Sequence, residues 1–124
     1  VLDDYLQKYR VKQIDILSID TEGNDALVLA GGNRTLPSMV RYVEFEVHKF
    51  GAWQQHSLSS VVLRLADAGF VCYWTGKSKL WRITDYWHPA YDKKTRGNVG
   101  CVHRREAEWL GIMEGFFNST MHSR

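Results

Sequence analysis

The stretch 16-ILSIDTEGND-25 decides the expected fold, because an apolar run ends abruptly in two carboxylates with a glycine directly behind them. Residues 13–20 are rich in Ile and Leu, which favours a strand covered on both faces, as in a parallel sheet. Residues 24–32 (NDALVLAGG) then have the spacing of a short helix, with Asn24 or Thr21 as its cap. The stretch therefore predicts a strand followed at once by a helix.

The rest of the chain continues this alternation. The expected elements are a helix at 3–9, a strand at 40–47, a helix at 56–69 capped by Ser57, a strand, turn and returning strand across 70–84, a strand at 99–104, and a helix from about 106 to 117. This order predicts an α/β fold: half of a doubly wound sheet, finished by an antiparallel edge hairpin.

Composition excludes several classes of protein. The chain has 124 residues, of which 44% are hydrophobic, and 16 basic against 14 acidic residues leave a net charge of +2. This balance indicates no nucleic-acid partner and no strongly anionic surface as a target. No apolar stretch approaches the roughly 18 residues of a membrane-spanning helix. Because the chain begins at Val1, directly in a structured region, we expect it to be part of a longer polypeptide.

Cysteines and sequons bear on the compartment. Cys72 and Cys101 lack the spacing of metal ligands, so we expect two small buried residues, or one disulfide in an oxidising compartment. N-glycosylation sequons begin at Asn33 and Asn118, although such triplets also arise by chance. The compartment is left open between the cytoplasm and the secretory pathway.

Carboxylates follow both expected parallel strands. Asp20 and Glu22 come after the first strand, and Glu46 and His48 end the second. Ligands of open α/β sheets bind at the carboxyl ends of the strands, so these side chains could form one site. They could hold a divalent cation, or supply a general base for an acceptor hydroxyl. The alternative, strongest for Glu22, is that they only build a turn and a helix start.

An aromatic loop at residues 86–97 supplies the other candidates. Together with His48, we expect Trp87 and His88 to contact the acceptor, since stacking aromatic rings often line such pockets. Packing of an exposed sheet edge is the alternative for the aromatic residues. A third function, glycan binding through this loop, rests only on its aromatic content.

The line LDDYL…IDILSIDTEGNDALVLAGG…RYVEFEVH resembles the FkbM-type methyltransferase family. The matching positions are Leu2, Asp3, Ile19, Asp20, Glu22, Gly23, Leu27, Val28, Leu29, Gly31, Glu44 or Glu46, and His48. The resemblance covers residues 1–70. It implies a Rossmann-like class I methyltransferase sheet, here strands four to seven, and transfer of a methyl group from S-adenosylmethionine to a hydroxyl of a small molecule or sugar.

The resemblance also implies roles and an absence. Asp20, Glu22 and Glu46 are the expected catalytic residues, with a magnesium ion between Asp20 and Glu46 as an alternative by analogy. The glycine-rich turn that binds the cofactor in such enzymes is missing, because the glycines at 31 and 32 follow a helix. We therefore expect residues 1–117 to be the C-terminal part of a methyltransferase domain, inactive alone, with 118–124 as a tail. The alternative is a non-catalytic α/β binding module.

Overall fold

Five strands and five helices make up the part of the chain that the computed structural model describes, which is residues 1–21, 24–47, 53, 56–76, 79–88, 91 and 97–121. In chain order the elements are α1 (Leu2–Lys8), β1 (Ile14–Ile19), α2 (Asp25–Ala30), α3 (Leu36–Met39), β2 (Val40–Val47), α4 (Leu58–Asp67), β3 (Phe70–Thr75), β4 (Leu80–Arg82), β5 (Gly97–His103) and α5 (Ala107–Met121).

The strands form one sheet in the order β1-β2-β5-β3-β4. β1 and β2 pair in parallel, while β5 lies antiparallel between β2 and β3. β4 pairs antiparallel with β3 at the far edge. The α/β class, the parallel first pair and the antiparallel edge hairpin are thus confirmed, and three of the four strand pairings are antiparallel.

Apolar side chains cover the two faces of the sheet differently. The larger core lies between the sheet and the helices α2, α3 and α4, and the smaller core lies under α5 on the opposite face. In β2, Val43, Phe45 and Val47 are fully buried in the larger core, whereas Tyr42 faces the smaller one. This alternation explains why the strand is apolar at every second position.

One helix was not expected, and another runs past its expected end. The short helix α3 was not predicted; its Pro37 lies in the first turn, a position that suits proline. α5 runs to Met121, beyond the expected end at residue 117. Within the described residues, no helix is long and apolar enough to cross a membrane.

The two cysteines lie directly opposite each other on neighbouring strands. Cys72 donates its N–H to Thr84 Oγ1 and accepts a hydrogen bond from Ile83 N, so its backbone groups point away from Cys101 on β5. Pairs of this kind bring their Cα atoms closest together, here to 4.0 Å. The two sulfurs form a disulfide inside the larger core, and the chain holds no free cysteine.

Replacing both cysteines by alanine should lower the free energy of unfolding by about 2–4 kcal/mol, because the bond closes a loop with a sequence separation of 29 residues. Urea unfolding of the oxidised chain and of the double variant measures the difference. The reduced wild type is the control and should lie near the variant. Equal stability of the oxidised and reduced wild type would contradict the expectation.

A tyrosine ring lies across a glycine on the α5 face. The ring of Tyr42 stacks on Trp109 with centroids 4.9 Å apart. A Cβ atom at Gly100 would overlap the Tyr42 hydroxyl oxygen and lie 2.8 Å from Cζ. Burial, and the nearby charge of Glu44, raise the pKa of Tyr42 to about 12. Gly100 therefore leaves the space that the Tyr42 ring occupies.

Gly100→Ala should destabilise the chain by about 1–3 kcal/mol, because the ring must move out of its stacked position. The matched control is Gly111→Ala, since a Cβ at that position in α5 meets nothing within 4 Å. The control should be neutral or stabilising by up to about 1 kcal/mol. Thermal unfolding of both variants checks this, and an equal effect of the two substitutions would contradict the role of Gly100.

Candidate functional site

The parallel pair β1–β2 opens at its carboxyl end. The last paired residues are Ile19 and Phe45, and both are buried in the larger core. Asp20 follows Ile19 and is exposed, and Glu46 follows Phe45 and is half-buried. Asp20 and Glu46 are thus the residues that directly follow the last pair of the β1–β2 register.

Two other predicted rim residues cannot be placed, because Glu22 and His48 lie outside the described residues. Within the described part of the chain, no group of three or more His, Cys, Asp or Glu side chains is arranged to hold a metal ion. Asp20 and Glu46 are the two predicted catalytic carboxylates that lie within the described residues.

A third carboxylate, not predicted from the sequence, lies beneath the rim. The side chain of Asp25, the first residue of α2, is fully buried. Its Oδ2 accepts a hydrogen bond from Glu46 N at 2.7 Å, and its Oδ1 accepts from Thr21 N at 2.9 Å and from the Thr21 hydroxyl. Asn24 occupies the N-cap position of α2 without a side-chain cap bond. Asp25 therefore ties the turn after β1 to the end of β2.

Trp53 was also missed, and it supports the rim from the chain that follows β2. Its side chain is fully buried and stacks near Phe45, with ring centroids 6.0 Å apart. The indole Nε1 donates to the backbone oxygen of Glu46 at 3.1 Å. Both backbone groups of Glu46 are thus held by side chains, the amide by Asp25 and the carbonyl by Trp53. This fixes the backbone of Glu46 while leaving its carboxylate half-buried.

The predicted acceptor contacts Trp87 and His88 belong to a segment that passes α4. Trp87 is 39% exposed and lines a groove of about 500 Å³ together with Leu63, Ile83 and Asp85. The Trp87 and His88 rings lie 5.8 and 6.0 Å from the Tyr91 ring, measured between centroids. Neither Asp20 nor Glu46 lines this groove. Trp87 and His88 thus share Tyr91 as a ring partner.

Asp3, a position of the family-like pattern, has a structural role away from the rim. Its carboxylate accepts hydrogen bonds from Arg34 N at 3.0 Å, from Thr35 N at 3.0 Å and from the Thr35 hydroxyl at 2.6 Å. Burial alone would raise the pKa of Asp3, but the hydrogen bonds from Thr35 and Arg34 outweigh burial and lower the pKa. Asp3 therefore fastens α1 to the start of α3.

Asp3→Asn should lower the free energy of unfolding at pH 7 by about 1–2 kcal/mol, since an amide cannot accept from all of these donors. A lowered folded pKa contributes stability above the unfolded pKa of about 4, and that stability is lost as the pH falls through the folded value. The wild type should therefore lose more stability than the variant between about pH 5 and pH 2.

The matched control for this pH series is Asp4→Asn, which removes the same charge from a side chain that is 68% exposed. The free energy of unfolding, measured with urea at each pH, should depend on pH in this control as it does in the wild type. The role of Asp3 is contradicted if the two variants show the same dependence on pH.

The glycine pair at 31 and 32 also has a structural explanation. A Cβ at Gly31 would lie 2.6 Å from Val1 Cγ1 and 3.3 Å from Leu2 N, and a Cβ at Gly32 would lie 2.8 Å from Leu2 Cδ2. The glycines let the start of α1 approach the end of α2 closely. They follow a helix and do not form a strand-to-helix cofactor turn.

Comparison with known proteins gives one match. The family model described as the methyltransferase FkbM domain matches residues 1–72, more than half of the chain. This range contains β1, α2, β2, α4 and the start of β3, and thus the whole described rim. No curated protein and no solved structure matches the chain.

Proposed function

Because the chain belongs to the FkbM methyltransferase family, we propose that it forms the acceptor side of an S-adenosylmethionine-dependent O-methyltransferase. The observation that carries this proposal is the register at the open end of β1–β2, which puts Asp20 and Glu46 at adjacent positions. The acceptor would be a hydroxyl group on a small molecule or sugar.

In this proposal the carboxylates have different roles at the acceptor. Asp20 is exposed and unobstructed by the core, so it accepts the proton of the acceptor hydroxyl as a general base. The amide and the carbonyl of Glu46 are both hydrogen-bonded to side chains. Glu46 orients the acceptor together with Glu22. His48, Trp87 and His88 contribute contacts to the acceptor. Of these side chains, that of Asp20 takes the proton, and the others bind or orient the acceptor.

The sheet supports the proposed Rossmann-like arrangement. β5 is antiparallel to both β2 and β3, so β1, β2 and β3 run in the same direction. The connections between these three strands contain α2 and α3, and then α4. Co-directional strands with helical crossovers are typical of doubly wound sheets, whose ligands lie at the carboxyl ends of the strands. The rim of Asp20 and Glu46 is at such an end.

The methyl donor of the family is S-adenosylmethionine, which supplies an electrophilic methyl group. The residues described here do not fit its binding turn, because Gly31 and Gly32 serve the packing of α1 on α2. We therefore propose that the donor is bound mainly by residues outside this chain. Residues 1–117 would be the C-terminal part of the methyltransferase domain, and 118–124 a tail whose residues 118–121 continue α5.

The test measures S-adenosylhomocysteine formation by the full-length parent protein with a panel of catechol and monosaccharide acceptors. Asp20→Asn should lower kcat by about 10²- to 10⁴-fold, since the amide cannot take the proton. Asp67→Asn, which neutralises an exposed carboxylate on α4, is the matched control and should retain wild-type turnover.

Unchanged turnover in the Asp20 variant would remove this residue from the chemistry. A wild-type protein that forms no S-adenosylhomocysteine with any acceptor, and binds no S-adenosylmethionine in calorimetry, would instead favour the alternative, a non-catalytic α/β binding module.

A further inference from the structure

At the end of the parallel pairing, a side-chain carboxylate replaces a strand carbonyl as the hydrogen-bond acceptor. The register of β1 and β2 ends with Ile19 and Phe45, so the next amide of β2, that of Glu46, has no paired residue in β1. It donates instead to Asp25 Oδ2 at 2.7 Å. The Asp25 side chain thus accepts the hydrogen bond that a carbonyl group of a longer β1 would otherwise accept from the Glu46 amide. The chain after Ile19 can therefore leave the sheet.

The second oxygen of Asp25 holds the departing chain. Oδ1 accepts hydrogen bonds from both the amide and the hydroxyl of Thr21, the residue directly after Asp20. We call these three contacts, from Thr21 N, Thr21 Oγ1 and Glu46 N, the Asp25 clamp. The clamp contacts Thr21, the neighbour of Asp20, and the backbone amide of Glu46. A single buried side chain therefore contacts both the residue after Asp20 and the amide of Glu46.

The chemistry of the Asp25 clamp requires a group that only accepts hydrogen bonds. All three partners are donors, and the side chain is fully buried. Burying a carboxylate costs several kcal/mol unless donors surround it, and hydrogen bonds to an ionised acceptor are the strong ones. An asparagine amide would turn an N–H group toward Thr21 or Glu46 and leave at least one donor unpaired.

We propose that Asp25 is a positioning residue, whose clamp sets the separation and orientation of Asp20 and Glu46 at the open end of β1–β2. The work of Asp20 and Glu46 on an acceptor rests on the proposed function, whereas the clamp itself does not. The competing account is that Asp25 merely stabilises the first turn of α2, where an acid is favourable. In that account its loss lowers stability but leaves the two carboxylates in place.

The experiment compares Asp25→Asn, Thr21→Val and Thr21→Ser, with Asp67→Asn as the control, in the full chain. Selective labelling follows hydrogen exchange at the Glu46 amide and the carboxyl ¹³C shifts of Asp20 and Glu46. Asp25→Asn should accelerate the Glu46 exchange about tenfold or more and move both carboxyl signals. Thr21→Val should move the Asp20 signal, and Thr21→Ser should restore it.

Methyl transfer gives a second readout. Asp25→Asn should lower kcat about 10- to 100-fold, because misplaced catalytic groups cost rate, while the KM for S-adenosylmethionine stays within about twofold because the donor is bound elsewhere. Unchanged Glu46 exchange and unchanged carboxyl signals, with only a lower melting temperature, would overturn the positioning role.

Failure of the two proposals gives different results. Absence of methyl transfer by the wild type would remove the proposed function, while exchange and carboxyl shifts would still decide the role of the clamp. If Asp25→Asn does not fold, the Thr21→Val and Thr21→Ser pair decides it: equal carboxyl signals in the two Thr21 variants and the wild type would overturn the proposal.

Discussion

The hydrogen bond from the Glu46 amide to the buried Asp25 carboxylate determines how the parallel pair ends. A sheet that simply continued would satisfy this amide with another strand residue, and no opening would form. Here a side chain satisfies it, so β1 can stop at Ile19 and its chain can turn into α2. In the positioning role that we propose for Asp25, the placement of both rim carboxylates follows from this substitution of a side chain for backbone.

The backbone carbonyl of Glu46 is held by a second buried side chain. Trp53 is fully buried, and its indole reaches the Glu46 carbonyl. A residue whose amide and carbonyl are both fixed by the core has little freedom to move, whereas its side chain is only half-buried. The rim thus combines a fixed Glu46 backbone with an exposed Asp20 side chain and a half-buried Glu46 side chain, which suits the acid–base role that we propose for them.

Local patterns in the sequence were enough to predict the parallel pair, the edge hairpin and the Ser57 cap of α4, whose side chain accepts from Ser60 N. Each depends on neighbouring residues, on periodicity or on turn chemistry. Asp25 could not be predicted in the same way, because its key partner is a backbone amide 21 residues away. The choice between two separate buried cysteines and the Cys72–Cys101 disulfide likewise depends on the strand order, since β5 enters the sheet out of sequence.

The central place of β5 also bears on how the protein is made. β5 spans Gly97–His103, near the end of the chain, yet it lies between β2 and β3. During synthesis the facing edges of β2 and β3 therefore stay unpaired until β5, which follows both strands in the sequence, has left the ribosome. Open strand edges promote association with other chains. Slow translation between β3 and β5 would therefore prolong the exposure of these two edges.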